Sequence, residues 1–289
     1  MLSHPAERFR APNAIQRGTP LKELMGGALV ELIAESLKSV TPEFDSREFQ
    51  YRALKGLETL ELMDRALHIA HAMAGQLPAN FDSLAEILIE SLGPPLTATQ
   101  GNGLGGFFYL PHSQLIATYG PAKFTSGMRA NRELTCRFTA EFSIRPFLAR
   151  YPQRCLKWLS TWARDENAHV RRLVSEGTRS RLPWAAQLVL TREDPQYSLQ
   201  FLEILKDDPE SYVRRSVANH LGDIAKDHPD IALDVCQKWL GEIDGSDDPL
   251  LAKNRRWLIR HALRHPARKA VPEALKLRKA AADIREQKR

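Results

Sequence analysis

Hydrophobic residues recur at helical spacing along most of this chain. The first clear case spans residues 29–40, where apolar positions lie three or four residues apart and Thr41-Pro42 ends the pattern. Two further amphipathic stretches cover residues 48–73 and 81–92, and the second ends at Gly93-Pro94-Pro95. No segment alternates polar and apolar residues for long, and β-branched residues are not clustered. The pattern predicts an all-α protein without a sheet.

Residues 93–120 form the least regular part of the sequence, rich in glycine and proline. The glycines at 101, 103, 105 and 106 superficially resemble a dinucleotide-binding loop, but no strand precedes them and their spacing differs. We predict a flexible connection here, one that can also touch a ligand.

Two segments of the chain, residues 165–174 and 208–217, resemble each other at an offset of 43 residues. A third, weaker copy lies at residues 257–263. Second helices are expected between the copies, at residues 184–190 continuing to 205, and at residues 231–240. A period of about 40–47 residues with two helices per unit is typical of HEAT and armadillo repeats. The sequence therefore predicts a HEAT-like (armadillo-type) helical repeat superhelix with a concave basic groove.

The net charge of +6 is unevenly distributed along the chain. Residues 1–144 have a balance of −2, residues 145–185 of +6, and residues 186–289 of +2. A basic stretch of this kind is typical of a phosphate-binding face, although a solvated, arginine-rich helix surface would look the same.

The arginines of the two Val-Arg-Arg copies are candidates for that face. The valines on either side are expected to point inward, which leaves Arg171, Arg172, Arg214 and Arg215 at or just beneath the groove edge. The alternative is that one arginine of each pair is structural and bridges to an aspartate in the adjoining loop.

Other composition features exclude several classes of protein. No apolar run approaches the roughly 20 residues of a membrane-spanning helix, and the N-terminus lacks the apolar core of a secretion signal. Three widely spaced cysteines without a CxxC pair argue against a disulfide framework or a zinc site and suit the cytoplasm. His68 and His71 share a helical face, but no third metal ligand is evident.

Several long runs of the sequence resemble the AlkC-type DNA alkylation repair proteins. The runs are residues 20–24, 56–62, 91–96, 137–148, 169–184, 212–229 and 257–264. The resemblance covers residues 19–277. It implies a superhelix of HEAT-like repeats and a DNA glycosylase active on 3-methyladenine and related cationic lesions. It also implies catalysis without full extrusion of the damaged base.

Carried over position by position, the resemblance implies four catalytic residues: Glu141, Glu176, Trp184 and Asp223. The residues expected to contact DNA are His169, Arg171, Arg172, Arg179, Arg181, Tyr212, Arg214, Arg215, Asn219, Lys226, Arg260 and Arg264. The chain departs from the family pattern Asn-Asn-Leu-Asn-Asp at Asn219-His220-Leu221-Gly222-Asp223.

The domain organisation predicted from this match has three parts. Residues 1–18 form a flexible N-terminal segment, residues 19–277 a HEAT-like repeat DNA glycosylase domain, and residues 278–289 a charged tail that includes a short helix over 281–289. We expect no C-terminal immunoglobulin-like domain of the kind that some relatives carry.

The chemistry of these residues fits on its own terms. A base methylated at a ring nitrogen is already a cation and a good leaving group, so the enzyme must stabilise the sugar's developing positive charge and position a water. Carboxylates can do both, and nearby arginines are expected to keep them ionised by lowering their pKa. An exposed indole at Trp184 can stack on a sugar or cationic base.

Each candidate also has a structural alternative. Glu176 can merely pair with Arg172 or Arg179, and Asp223 with Lys226. Glu141 can bridge to Arg137 or Arg145, and Trp184 can be a core residue between repeats.

The sequence thus predicts a single-domain, monomeric, cytoplasmic glycosylase that binds duplex DNA containing alkylated bases. It needs no metal or organic cofactor and no membrane. The alternatives are a catalytically silent HEAT-repeat DNA-binding scaffold with the same groove, and a HEAT-type adaptor whose groove binds acidic peptides.

Overall fold

A computed structural model describes residues 3–282 of the chain, and every regular element in that range is helical. The prediction of an all-α repeat fold is confirmed. The helices fall into two compact units, Met1–Pro152 and Gln153–Arg289, where the sequence predicts one domain over residues 19–277. Within residues 3–282, no helix is both long enough and apolar enough to span a membrane.

The N-terminal unit contains eight α-helices within the described residues. They are α1 (Pro5–Arg8), α2 (Gly27–Val40), α3 (Ser46–Leu54), α4 (Leu62–Ala74), α5 (Phe81–Glu90), α6 (Leu110–Tyr119), α7 (Phe124–Thr135) and α8 (Arg145–Arg150). Short 3₁₀ turns occupy Leu21–Leu24, Leu57–Thr59, Gly105–Tyr109 and Gly120–Ala122. The helix α2 packs on α3, α3 on α4, and α4 on α6, while α5 packs on α7. Their apolar faces form one core, so the unit is held together mainly by hydrophobic burial.

The amphipathic stretch predicted over residues 48–73 is two helices rather than one. The helix α3 ends at Leu54, and Gly56 follows with φ of 74° in the left-handed region. Glycine adopts this conformation without the steric cost of a Cβ, which makes it a common helix terminator. The chain then turns before α4 begins at Leu62.

The prediction of a flexible connection over residues 93–120 is wrong for the second half of this segment. Residues 105–109 form a 3₁₀ turn, and α6 follows directly with Pro111 in its first turn, where a missing N–H costs nothing. Leu115 and Ile116 of α6 are buried in the core. At least one of the glycines that suggest flexibility instead permits close packing, because a Cβ at Gly106 would lie 2.5 Å from the ring of Phe138.

The segment 1–18 predicted to be flexible begins with a capped helix. The Nδ1 atom of His4 accepts from the Ala6 backbone N–H at 3.1 Å, and the Glu7 side chain accepts from the His4 backbone N–H at 3.0 Å. The helix α1 packs on α2. Residues 5–8 are therefore anchored to the N-terminal unit.

The C-terminal unit contains nine α-helices within the described residues. They are α9 (Pro152–Trp162), α10 (Ala168–Gly177), α11 (Val189–Glu193), α12 (Gln196–Leu205), α13 (Ser211–Asp227), α14 (Pro229–Gly241), α15 (Pro249–Ala262), α16 (Arg264–Arg268) and α17 (Pro272–Ala280). The helices α10, α13 and α15 pack side by side in one layer, and α12, α14 and α17 cover them in a second. This two-layer stack is the arrangement that the 43-residue period predicts.

The repeat extends to individual hydrogen bonds. Before α10, the Asp165 side chain accepts from the backbone N–H of Asn167 at 2.9 Å, and before α13 the Asp208 side chain accepts from that of Glu210 at 2.9 Å. Arg171 donates to the two loop carbonyls at residues 165 and 166, as Arg214 does to those at 208 and 209. Each pair of contacts is related by the same 43-residue offset, so the two helices begin in the same way.

The helix predicted to begin at residue 184 needs correction, and the helix predicted over residues 281–289 lies mostly outside the described residues. Residues 184–188 are not helical; the backbone N–H of Leu188 donates to the carbonyl of Ser180 at 3.0 Å and closes a loop that α11 follows. At the C-terminal end, α17 runs to Ala280, and most of the charged helix predicted over residues 281–289 lies outside the described residues.

Candidate functional site

Two of the four predicted catalytic residues lie together where α10 and α13 pack. Glu176 is in the last turn of α10 and Asp223 in the second half of α13. Their side chains are only 8% and 3% exposed, respectively. Burying two carboxylates carries a large desolvation penalty unless cations and hydrogen bonds compensate for it.

Arg179, just after α10, supplies that compensation by bridging the two acids. Its Nη1 atom lies 2.6 Å from Glu176 Oε1, and its Nε and Nη2 atoms lie 2.8 and 2.7 Å from Asp223 Oδ2. Lys226 Nζ donates to Asp223 Oδ1 at 2.8 Å, and Arg172 Nη2 lies 3.5 Å from Glu176 Oε1. We call these five residues the carboxylate cluster. It contains two anions and three cations.

Burial and charge act in opposite directions on the pKa of Glu176. Burial alone would raise it, but the charges of Arg172 and Arg179, together with a hydrogen bond from Ser216, lower it below its usual value. Burial would likewise lower the pKa of Arg179, and the two carboxylates outweigh that effect and raise it. Glu176 and Arg179 are therefore both charged at neutral pH. The lowered pKa of Glu176 agrees with the expectation that nearby arginines keep this carboxylate ionised.

Arg172 and Tyr212 extend the carboxylate cluster along the helix layer. The Arg172 guanidinium lies over the Tyr212 ring, 5.2 Å from its centroid, and the ring of His169 meets Tyr212 edge-on at 5.5 Å. These three predicted DNA contacts are thus brought together, with the Arg172 side chain held between an aromatic face and Glu176.

Arg171 and Arg214, also predicted to contact DNA, have internal roles instead. Arg171 makes a bidentate ion pair with Asp208, at 2.6 and 3.0 Å, in addition to its loop carbonyls. Arg214 is buried and caps the equivalent loop. Each is the first arginine of its Val-Arg-Arg copy, so the structural alternative applies to that position in both repeats.

The second arginine of the later copy, Arg215, is exposed on α13. Arg264, at the start of α16, is also exposed and donates to the side-chain oxygen of Asn219 at 3.1 Å; that oxygen also accepts from His261 Nε2 at 2.9 Å. Arg260 is half-buried on α15. Arg215 and Arg260 thus share the helix layer of the carboxylate cluster, and Arg264 is joined to it through Asn219 of α13.

Positive charge accumulates around this part of the layer. Burial, followed by the charges of Arg264, Arg215 and Arg278, lowers the pKa of His261 to about 4. Burial and the charges of Arg268 and Arg278 lower the pKa of Arg264 as well. Burial disfavours any ion, but the charges of Arg264, Arg215 and Arg278 around His261 contribute a positive field that favours an anion.

Arg181 lies two residues beyond the bridging Arg179 and makes a more exposed pair. Its Nη2 atom lies 2.6 Å from Asp227 Oδ1, and the two side chains are 37% and 20% exposed. The Arg181 pair is therefore more open to solvent than the carboxylate cluster.

Trp184 lies in the loop between α10 and α11 and is not a core residue. Its side chain is 53% exposed, and its backbone has φ of 63°. A non-glycine residue in this region is strained by about 1–2 kcal/mol. The loop thus presents a large aromatic surface to solvent in a strained conformation.

Glu141, the remaining predicted catalytic residue, belongs to the N-terminal unit. It is half-buried in the turn before α8, where the Thr139 hydroxyl donates to its Oε2 atom at 2.8 Å. The backbone N–H of Glu141 donates back to that hydroxyl oxygen at 3.3 Å.

The sequence analysis missed three polar residues behind Glu176. Ser175, Ser216 and His220 are buried where α10 and α13 meet. The available signal was the spacing of Ser216, His220 and Asp223 along α13, which places them on one helical face. Among residues 3–282, no group of three or more His, Cys, Asp or Glu side chains is arranged to hold a metal ion.

Comparison with curated proteins and with solved structures identifies relatives of this chain. No family model matches the chain. The uncharacterized protein YhaZ of Bacillus subtilis (strain 168) is 32% identical over 258 residues, which are 89% of this chain and 67% of that protein. The solved structure of Pseudomonas fluorescens alkylpurine DNA glycosylase AlkC, bound to DNA containing an abasic site analog, is 35% identical with a TM-score of 0.78. That match covers 90% of this chain and 68% of the other.

Proposed function

The chain belongs to the AlkC family, and we propose that it is a monofunctional DNA glycosylase acting on cationic alkylated bases of the 3-methyladenine type. The reaction hydrolyses the N-glycosidic bond in duplex DNA and leaves an abasic site. The proposal includes hydrolysis without full extrusion of the damaged base, by a monomer that uses no cofactor.

The observation that carries this proposal is the buried, ionised Glu176 beside Asp223. A cationic base leaves without being protonated, so a general acid is dispensable. The barrier lies in the positive charge that develops on the sugar as the glycosidic bond breaks. A fixed negative charge stabilises that transition state more strongly in a buried site than in water, because the effective dielectric constant is lower.

We assign two roles to the carboxylates. One stabilises the oxocarbenium-like sugar, and the other accepts a hydrogen bond from the attacking water. Arg179 holds the two acids at a fixed separation by binding one oxygen of each carboxylate. The exposed indole of Trp184 provides a face for the sugar or cationic base, worth about 1–2 kcal/mol.

Three cations beside two anions leave the carboxylate cluster with a net positive charge in the free protein. Lys226 is 38% exposed and pairs with Asp223, so a DNA phosphate can compete for it. Arg172 is the more distant partner of Glu176. Phosphate binding by these two side chains would leave both carboxylates with Arg179 alone, so that the negative charge needed for catalysis develops when DNA is bound.

The surrounding cations support binding to the DNA backbone. Arg215 and Arg260 lie on α13 and α15 of the same helix layer, and Arg264 lies at the start of α16; the charges of Arg264 and Arg215 both act on His261. Each phosphate contact releases a counterion, so affinity is expected to fall steeply as salt concentration rises. A flat salt dependence would contradict binding through this layer.

A catalytically silent DNA-binding scaffold is the second candidate, because every carboxylate of the cluster is matched to a cation, as in a structural ion-pair network. The test is incubation of the protein with methylated duplex DNA, followed by chromatography for free base and alkaline cleavage at abasic sites. Release of 3-methyladenine with equal formation of abasic sites supports the glycosylase. Retention on DNA without release supports the scaffold.

A further inference from the structure

A stripe of polar side chains runs along the face of α13 that meets α10. Ser216, His220 and Asp223 are spaced i, i+4, i+7 and are all buried. Their neighbours on the helix are apolar and also buried: Val213, Val217, Leu221 and Ile224. Polar groups destabilise a helix interface unless they are hydrogen-bonded, so the contacts of this stripe explain why the fold tolerates it.

Two members of the stripe contact the last turn of α10, which carries Glu176. The Ser216 hydroxyl donates to Glu176 Oε2 at 2.6 Å, and its oxygen lies 3.0 Å from the hydroxyl oxygen of Ser175. His220 Nδ1 lies 2.9 Å from the carbonyl oxygen of Ser175. Since a carbonyl only accepts, Nδ1 carries the proton. Burial, then the charge of Arg179, lowers the pKa of His220 to about 4, so the ring is neutral.

These contacts fix Glu176 from the side opposite Arg179. Arg179 donates to Oε1 and Ser216 donates to Oε2, so each carboxylate oxygen has its own donor; Arg179 lies in the loop after α10, and Ser216 lies on α13. Two donors on different oxygens restrict both the rotamer of Glu176 and the plane of its carboxylate. His220 holds the backbone of the preceding residue, so the turn itself cannot rotate away.

We propose that Ser216 is a positioning residue for Glu176, and that His220 supports it by fixing Ser175. The inference rests on the proposed glycosylase function, because the position of the Glu176 carboxylate is expected to affect the rate of base release. Ser216 contacts neither sugar nor base in this account; it acts only through the Glu176 carboxylate.

The test compares Ser216→Ala with the wild type in the full chain, by single-turnover release of 3-methyladenine across a pH range. We expect a loss of roughly 10–100-fold in the rate at neutral pH, the effect of one charge-assisted hydrogen bond, with unchanged DNA affinity. The acid limb of the profile should move to higher pH, because the ionised form of Glu176 loses a donor. Arg172 and Arg179 on the α10 side, and His220, Asp223 and Lys226 on α13, remain the same in both proteins.

Ser198→Ala is the matched control, since this buried serine of α12 donates to the Pro195 carbonyl at 3.1 Å and, within residues 3–282, to no carboxylate. Its rate and profile should equal those of the wild type. Ser216→Thr keeps the hydroxyl and should restore the acid limb towards its original position. A Ser216→Ala protein with the wild-type rate and profile would overturn the proposal.

Titration of the Glu176 carboxyl carbon by NMR, without DNA, separates this inference from the proposed function. A raised pKa of Glu176 in Ser216→Ala supports the contact whether or not the wild type releases base. An unchanged pKa overturns the inference, while absence of release by the wild type overturns only the glycosylase proposal.

Discussion

Replacing Arg179 with methionine removes the cation that joins Glu176 to Asp223 while keeping much of the side chain's apolar volume. Both carboxylates are buried, and their remaining cations are Arg172 at 3.5 Å and the partly exposed Lys226. Breaking a buried ion pair by removing one partner typically costs about 3–5 kcal/mol, because the other charge stays desolvated. We expect Arg179→Met to lose about that much of the free energy of unfolding at pH 7.

The pH dependence of this loss identifies its cause. In the wild type, the lowered pKa of Glu176 contributes stability that is complete above the unfolded value of about 4.3 and disappears as pH falls through the folded value. Without Arg179, we expect burial to outweigh the remaining contacts with Arg172 and Ser216 and to raise the folded pKa of Glu176, which penalises the variant above that pKa. The difference between the two proteins should therefore be largest at neutral pH and shrink on acidification.

Urea denaturation followed by circular dichroism, at pH 7 and pH 4.5, measures both differences. Arg181→Met is the matched control, because its pair with Asp227 is much more exposed and such pairs contribute about 0–1 kcal/mol. The reasoning is refuted if Arg179→Met costs no more than Arg181→Met, or if its cost is independent of pH.

Three further variants test other parts of the structure. Arg215→Gln should reduce the slope of log DNA affinity against log salt by about 1 without changing stability. Arg214→Gln should lower the free energy of unfolding in urea by about 1–3 kcal/mol, because it leaves loop carbonyls without a donor. Equal effects of the two substitutions would contradict their separate roles. Trp184→Gly should be about 1 kcal/mol more stable than Trp184→Ala, because φ of 63° strains any side chain, and both should release base slowly. Gly127→Ala should cost at least about 1–3 kcal/mol in thermal or urea unfolding, because its Cβ would lie 2.4 Å from the buried Phe147 ring; wild-type stability would show that α7 can shift.

Much of the fold follows from the sequence, because hydrophobic periodicity and the 43-residue offset both report local geometry. The offset reappears in the hydrogen bonds of Arg171 and Arg214, which begin their helices identically. The errors lie where glycine and proline residues are compatible with either a flexible connection or close packing. Glycines in residues 93–120 suggest mobility, yet Gly106 and Gly120 allow aromatic rings to approach the backbone closely.

The site was only partly predictable from the sequence, because the contacts of a side chain depend on its position around the helix and on how neighbouring helices align. Adjacent arginines differ by about 100° around a helix, so one sequence position decides whether a guanidinium reaches Asp208 or Glu176. The pair of Arg172 with Glu176 is local and could be predicted from the sequence, whereas Asp208 lies 37 residues from Arg171 and depends on how the repeats stack. The same holds for Ser216 and His220, whose roles depend on how α13 is aligned against α10.

The most direct measurement of the central claim is the single-turnover release of 3-methyladenine from methylated duplex DNA by wild type, Glu176→Gln and Asp223→Asn. Both substitutions keep the size and shape of the side chain while removing one negative charge, and each exchanges one acceptor oxygen for an NH2 donor. The account predicts release by the wild type, losses of about 100-fold or more in each variant, and DNA affinities that are not weakened. Variants that release base at the wild-type rate would contradict the carboxylate mechanism, and a wild type that binds DNA without releasing base would contradict the glycosylase itself.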